Sequence, residues 1–368
     1  MCLRALFVSF AALLSTVGCL WLCLWLTDGV AWGRLPLGFS TMYLVRGVLM
    51  LLAAIVIAVT LVRFAAHPRR TAGAKRLALA TLGTSLTLLL LEGVFMFVPR
   101  SHDVGYTLGS KVWFRYFWRP ENSLGYRDPE HVPAQGRHAV FALGDSFTAG
   151  HGIEDAETRY TNLLERRRSD IHVLNLGKNG AHTIDEWVRL QAHPMQPEAL
   201  ILQYTPNDIE GAAAELGLAV PGFVPYHDVA EPLQTIFRDS FLFNFLYWEV
   251  HHSDADEYLY FLRRVLDDEA VIRRHLSELA LFLGYAEEHH IALVGLVFPM
   301  MQNLEFGRVT RERVIEVFRN RGYPVVDVAA LVRELHTHDR VVNATDGHPS
   351  VLVNMIVADA LAEALPRF

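Results

Sequence analysis

The chain has 368 residues and a formal net charge of −7; with no basic stripe in its C-terminal two-thirds, it lacks the electrostatic footprint of a nucleic-acid binder. Its hydrophobic fraction of 52% is high for a purely soluble protein, and the excess falls before residue 100. All three cysteines, Cys2, Cys19 and Cys23, lie in the first apolar segment, so neither a disulfide nor a cysteine metal site is available to the rest of the chain.

Three segments, 3–26, 41–64 and 77–98, approach the roughly 20 apolar residues needed to cross a hydrocarbon core. The first continues through Trp21–Leu26, longer than the apolar region of a signal peptide. A lipoprotein-type site at Cys19 lacks the usual leucine-like residue three positions earlier, so a membrane anchor is expected. Basic residues decide orientation. Arg63, Arg69, Arg70, Lys75 and Arg76 crowd the second loop, whereas the first has Arg34. The second loop and the N-terminus are therefore expected on the cytoplasmic side, and everything after Val98 outside. Arg46 and Glu92 lie at matching depths in the second and third segments. Either they pair across the two helices or each snorkels to the interface.

Residues 99–136 are rich in Pro, Gly, Trp, Tyr and Arg and show no sustained helical or strand period. The aromatic cluster Trp113, Phe114, Tyr116, Phe117 and Trp118 is expected to pack onto the following domain, with the membrane interface as the alternative. Asn122–Asp128 reads as turns leading into that domain.

From residue 137 strands alternate with helices. Strands are expected at 139–143, 171–176, 199–204, 291–298 and 324–328, and helices at 157–168, 184–192, 257–266, 270–289, 311–319 and 350–364. This alternation predicts an α/β domain with a parallel sheet wrapped on both faces. The organisation is a membrane anchor over 1–98, a connecting segment over 99–136 and an α/β domain over 137–368. A less regular stretch, 209–252, carries Phe237, Phe241, Phe243, Phe245, Leu246, Tyr247 and Trp248. It suits a lid over a site, a membrane-resting element or core filling.

Four blocks fall at one edge of the expected sheet: Gly144-Asp145-Ser146 after the first strand, Gly177–Thr183 after the second, Thr205-Pro206-Asn207-Asp208 after the third, and Asp346-Gly347-His348-Pro349 before the last helix. Together they offer a nucleophile, oxyanion donors and a base. Four blocks in this order resemble the SGNH (GDSL-type) hydrolase superfamily over about residues 122–368. The resemblance implies a three-layer α/β/α, flavodoxin-like parallel sheet, here preceded by three transmembrane helices. It also implies that Ser146 is the nucleophile and that the backbone N–H groups of Ser146 and Gly180, with the Asn207 amide, form the oxyanion hole. His348 would be the general base and Asp346 its orienting acid, with no metal or organic cofactor. Two departures stand out. Thr205 occupies a position that is usually glycine, and the last block reads Asp-x-His, with Thr345 where Asp-x-x-His would place the acid. Residues two apart in an extended chain face the same side, which lets Asp346 reach the imidazole.

Asp145 and Asp208 read as structural hydrogen-bonding carboxylates. His151 suits either a ligand contact or an exposed turn, and Lys178 and His182 would rim the pocket. His251-His252-Ser253-Asp254-Ala255-Asp256 lacks defined metal-ligand spacing and is expected to be a solvated loop. His289-His290 suits a helix C-terminus. The function expected is a serine esterase or deacetylase anchored in the cytoplasmic (inner) membrane, with its catalytic domain on the periplasmic side. It would act on an O-acylated glycan or lipid, with the bilayer as its other partner and no nucleic acid. An O-acyltransferase modifying a cell-surface or secreted polysaccharide is the alternative reading, and a non-catalytic membrane scaffold is the alternative from another class.

Overall fold

The computed structural model describes residues 41–368 except 104, 134–135, 223–224, 227–228 and 251–252, together with Phe7, Phe10, Leu14, Thr16 and Gly18. The first expected span, 3–26, lies almost wholly outside the described residues, as do its cysteines and the His251-His252 pair. By internal contacts the chain forms two compact units: one comprises 1–100, 104–115 and 224–251, the other 101–103, 116–223 and 252–368.

In the first unit, apolar sequence free of proline builds helices Thr41–Ala66 and Ala72–Phe95. Among the described residues these are the two helices long and apolar enough to cross a membrane, at 22 and 24 residues. At 1.5 Å per residue each spans more than about 30 Å. Thr71 caps the second, its hydroxyl accepting from the Ala74 N–H at 3.3 Å. Residues 99–136 are less irregular than expected: Thr107 caps a helix over Leu108–Phe117 through the Ser110 N–H at 2.9 Å. Thr107 is a start signal that the proline and glycine content of this stretch obscures. The 209–252 stretch is likewise helical, at Ile209–Glu215, Leu233–Asp239 and Phe241–Val250. The last two belong to the first unit. There the Glu92 carboxylate accepts from Ser240 Oγ at 2.6 Å, Phe241 N at 2.8 Å and Leu242 N at 3.1 Å. It thereby satisfies the open N–H groups at the start of helix Phe241–Val250. Arg46 lies within electrostatic reach of Glu92 and donates to the Asp239 carbonyl at 3.4 Å. Arg46 and Glu92 thus converge on the start of the same inserted helix.

The second unit holds a five-stranded sheet: β1 (His138–Gly144), β2 (Ile171–Gly177), β3 (Ala199–Tyr204), β4 (Ala292–Val297) and β5 (Val325–Asp327). The order is β2-β1-β3-β4-β5 and every pairing is parallel. Parallel strands are buried on both faces, and successive side chains alternate between them. Val140, Ala142, Ile201, Val294 and Leu296 join a core with Tyr160, Leu164, Val353 and Val357 from helices Tyr160–Arg167 and Val351–Ala364. Phe141, Leu143, Leu200, Leu202 and Leu293 join another with Leu279, Phe282, Val314 and Phe318 from helices Glu269–His289 and Arg308–Asn320. This is the expected three-layer α/β arrangement. The strand order reverses between β1 and β3, and the carboxyl ends of strands at such a switch point are where open parallel sheets bind ligands. A departure comes late in the chain: the Asp346–Pro349 block, not among the expected strands, is a strand (β7) paired antiparallel with Val341–Asn343 (β6).

Candidate active site

The chain leaves β1 through Gly144, where a side chain is excluded: an added Cβ would lie 2.1 Å from Thr148 Oγ1 and 2.2 Å from Gln203 Oε1. Asp145 then caps the short helix Ser146–Ala149, its Oδ1 accepting from the Phe147 N–H at 2.8 Å. Ser146 is the first residue of that helix, where a backbone N–H has no intrahelical acceptor. Gly150 ends the helix in the left-handed region at φ 76°. Arg127 holds the return, donating to Gly150 O at 2.5 Å and Ile153 O at 2.7 Å. The turns at 122–128 thus brace the serine loop.

Ser146 Oγ lies 2.8 Å from His348 Nε2, and His348 Nδ1 lies 2.6 Å from Asp346 Oδ1. The same Asp346 oxygen accepts the His348 backbone N–H at 3.1 Å. With Nδ1 donating to the carboxylate, Nε2 is left bare as the acceptor for the serine hydroxyl. Burial alone would push the imidazole's pKa down; Asp346, with Asp103 and Asp145, outweighs it and holds the ring above its ordinary value. Burial likewise disfavours the Asp346 carboxylate, yet His348, by its charge and its Nδ1 hydrogen bond, holds that carboxyl well below the usual range. The Asp-x-His spacing therefore closes, because β7 is extended and places residues two apart on one side.

Gly180 sits in the loop after β2 at φ 68°, with open space where a Cβ would project. Asn207 is the middle residue of the 3₁₀ turn Pro206–Asp208 after β3. The departure at Thr205 acquires a role: its Oγ1 lies 3.0 Å from Asp145 Oδ2 and 2.6 Å from Asn207 Oδ1. With one proton for two acceptors, the hydroxyl donates to one or the other and so bridges the third block and the first. Asn207 Nδ2 has Asp145 Oδ2 at a long 3.5 Å. Asp208 accepts the Thr205 N–H at 2.7 Å, a structural bond. Burial, with Glu186 and Asp145 nearby, pushes its pKa well above the usual carboxylate range. Lys178 is exposed, and the His182 backbone N–H donates to Asp185 Oδ2 at 3.0 Å at the start of the next helix.

His151 is neither an exposed turn residue nor a simple pocket liner. It is 3% exposed and stacks on His348, with ring centroids 4.3 Å apart and planes at 15°. Burial and the neighbouring His348 push its pKa down to about 3, so it is neutral. One tautomer satisfies both nitrogens: Nδ1 accepts from Asn179 Nδ2 at 2.9 Å, and Nε2–H donates to the His102 carbonyl at 3.2 Å. His151, Asp346 and His348 bring ligand-type atoms within 4.8 Å of one another. However, the 2.6 Å separation of His348 and Asp346 is that of a hydrogen bond, whereas ligands sharing a tetrahedral ion at about 2.0–2.1 Å sit more than 3 Å apart. The donor set fits a proton-handling chain. Asp103, and the contacts that give Thr205 and His151 their roles, escape sequence reasoning because they join loops distant in the chain.

No protein-family model and no curated protein matches the sequence. Among solved structures, a G-D-S-L family protein from Desulfitobacterium hafniense DCB-2 is 15% identical with a TM-score of 0.41, covering 62% of this chain and 100% of that one. A member of the lipolytic protein G-D-S-L family from Veillonella parvula DSM 2008 is 12% identical, TM-score 0.38, over 62% of this chain and 99% of the other. A lipase/acylhydrolase from Enterococcus faecalis is 14% identical, TM-score 0.39, over 63% and 99%. Likenesses of this size carry no weight for activity; the distances around Ser146 do.

Proposed function

We propose that this chain is a membrane-anchored serine hydrolase of ester bonds, acting outside the cytoplasmic membrane on an O-acylated glycan or lipid. The observation that carries the reading is the continuous chain from Ser146 Oγ through His348 to Asp346, at 2.8 and 2.6 Å. In this reading His348 Nε2 takes the Ser146 proton as Oγ bonds to the ester carbonyl carbon. The carbonyl oxygen becomes an oxyanion facing the N–H groups of Ser146 and Gly180 and the Asn207 amide. His348 returns the proton to the leaving alcohol, producing an acyl-Ser146. Water, giving its proton to the same nitrogen, then releases the carboxylic acid and restores the serine.

Anchoring is supported by the 22- and 24-residue apolar helices and by the segment 3–26 as a third span. The basic residues between 63 and 76 support placing the second unit outside. Transfer of the acyl group to a sugar hydroxyl needs the same residues and differs only in the acceptor. The test is labelling of the full-length chain by a fluorophosphonate probe, beside Ser146→Ala, followed by hydrolysis of p-nitrophenyl acetate with and without a glycan acceptor. Labelling abolished by the substitution is expected. Labelling that survives it removes Ser146 from its role, and a product split favouring the glycan makes the protein a transferase.

A further inference from the structure

The tripeptide Ser101-His102-Asp103 belongs by its contacts to the second unit, although the residues on either side of it belong to the first. It runs beside the β6–β7 hairpin: the Asp103 N–H donates to Thr345 O at 3.1 Å, and Asn343 Nδ2 donates to Ser101 O at 3.2 Å. The His102 carbonyl receives His151 Nε2–H. Asp103 Oδ1 accepts the Gly347 N–H at 2.7 Å and lies 3.5 Å from His348 Nδ1, and Oδ2 accepts from Gln302 Nε2 at 3.2 Å. Gly347 is the single residue between the acid and the base. It is packed so closely that an added Cβ would lie 1.6 Å from Gln302 Nε2.

We propose that Asp103 is a positioning residue for His348, a second carboxylate that pins the Gly347 peptide and adds its charge behind the imidazole. The proposal rests on the function assigned above. At 3.5 Å Asp103 is too far from Nδ1 for a good hydrogen bond, so it acts there by charge, while Asp346 at 2.6 Å holds the ring. With one residue between acid and base, the Asp346–Gly347 peptide sets their relative orientation, and Asp103 holds that peptide from outside. The charged or titratable groups facing His348 are Asp346 on its own strand, Asp103 on the tripeptide, Asp145 at the end of β1, and His151 stacked on its face.

The test uses the full-length chain in detergent micelles with 15N-labelled histidine, the His348 resonance being assigned by its loss in His348→Asn. Asp103→Asn retains an acceptor for the Gly347 N–H but removes the charge. It is expected to lower the His348 titration midpoint by about 0.5–1 pH unit and to move the acid limb of kcat/KM the same way. Asp103→Ala removes both contacts and is expected to lower kcat by about ten- to a hundredfold with KM nearly unchanged. A midpoint in Asp103→Asn within about 0.2 unit of wild type overturns the proposal, as does wild-type kcat in Asp103→Ala. If Ser146 fails to react with the fluorophosphonate, the functional reading falls by itself, and the His348 midpoint still decides Asp103.

Discussion

Replacing Asp346 by asparagine tests the proposed machinery most directly. The wild-type carboxylate accepts twice at Oδ1, from His348 Nδ1 at 2.6 Å and His348 N at 3.1 Å, and its other oxygen lies 3.9 Å from His151 Nε2. Asparagine has two ways to fit and both cost activity. With its oxygen toward His348, the amide NH₂ turns toward the His151 Nε2–H, itself a donor, and no negative charge remains to stabilise the imidazolium formed during attack. With its NH₂ toward His348, Nδ1 must accept, the ring proton moves to Nε2, and Ser146 loses its base. The expected loss in kcat/KM is about 10³–10⁴-fold, or about 4–5.5 kcal/mol of transition-state stabilisation. Stability changes less than for an uncompensated buried charge: without the carboxylate, burial drives the imidazole neutral. The cost should therefore stay below the 3–5 kcal/mol typical of breaking a buried pair, at about 1–3 kcal/mol. The assay is p-nitrophenyl acetate hydrolysis by the detergent-solubilised chain, with a thermal melt to show that it is folded. A folded Asp346→Asn within tenfold of wild type would refute the assignment of Asp346 as the orienting acid.

Three further outcomes follow from other contacts. The Asp346 pKa is depressed in the folded state, so its stabilisation is present above the unfolded value of about 3.9 and is lost as pH falls through the folded one; that of His348 is raised, so its contribution is complete below about 6.5 and is lost as pH rises through the folded value. The pair should therefore broaden a plateau of thermal stability between those limits, while kcat/KM, which needs neutral His348, should climb on the alkaline side of 6.5; a pH-independent melting temperature in Asp346→Asn alone would support the first part. Thr205→Val keeps the shape but leaves Asp145 Oδ2 and Asn207 Oδ1 without their hydroxyl, for a loss of about 1–3 kcal/mol in a denaturation series and a fall in kcat greater than in affinity. Glu92→Ala strips three acceptor contacts from Ser240, Phe241 and Leu242, and should destabilise the first unit by about 2–4 kcal/mol, read as faster proteolysis within 224–251 while fluorophosphonate labelling of Ser146 persists.

Much of the second unit is legible in local pattern. The strand at Ala199–Tyr204 is apolar at every position but Gln203 and is bounded by turn signals, β1 extends one residue beyond its expected span at each end, and β2 one residue at its C-terminal end. This works because strands buried on both faces are largely apolar, whatever packs on them. Ser146, Gly180, Asn207 and His348 stand out for a related reason: each follows a strand or precedes a helix at one sheet edge. The helix at Leu108–Phe117 is less legible. Its ten residues sit among glycine, proline and aromatic residues, and only Thr107 announces it.

Tertiary structure alone decided the rest. The sequence by itself determined the layered sheet, the edge that carries the site and the two apolar helices, since these depend on periodicity and length. It left the carboxylate behind His348 open, because Asp346 meets the ring only when β7 is extended against β6. It left His151 between pocket and surface, because its burial comes from stacking on a residue almost 200 positions away. Thr205 reads in the sequence as a departure at a position that is usually glycine, and in the fold its hydroxyl joins two blocks 60 residues apart. Nothing in the sequence around Asp103 points to Gly347, 244 residues later. Local forces act on neighbours in sequence, whereas a hydrogen bond between distant loops exists only once the sheet has brought them together.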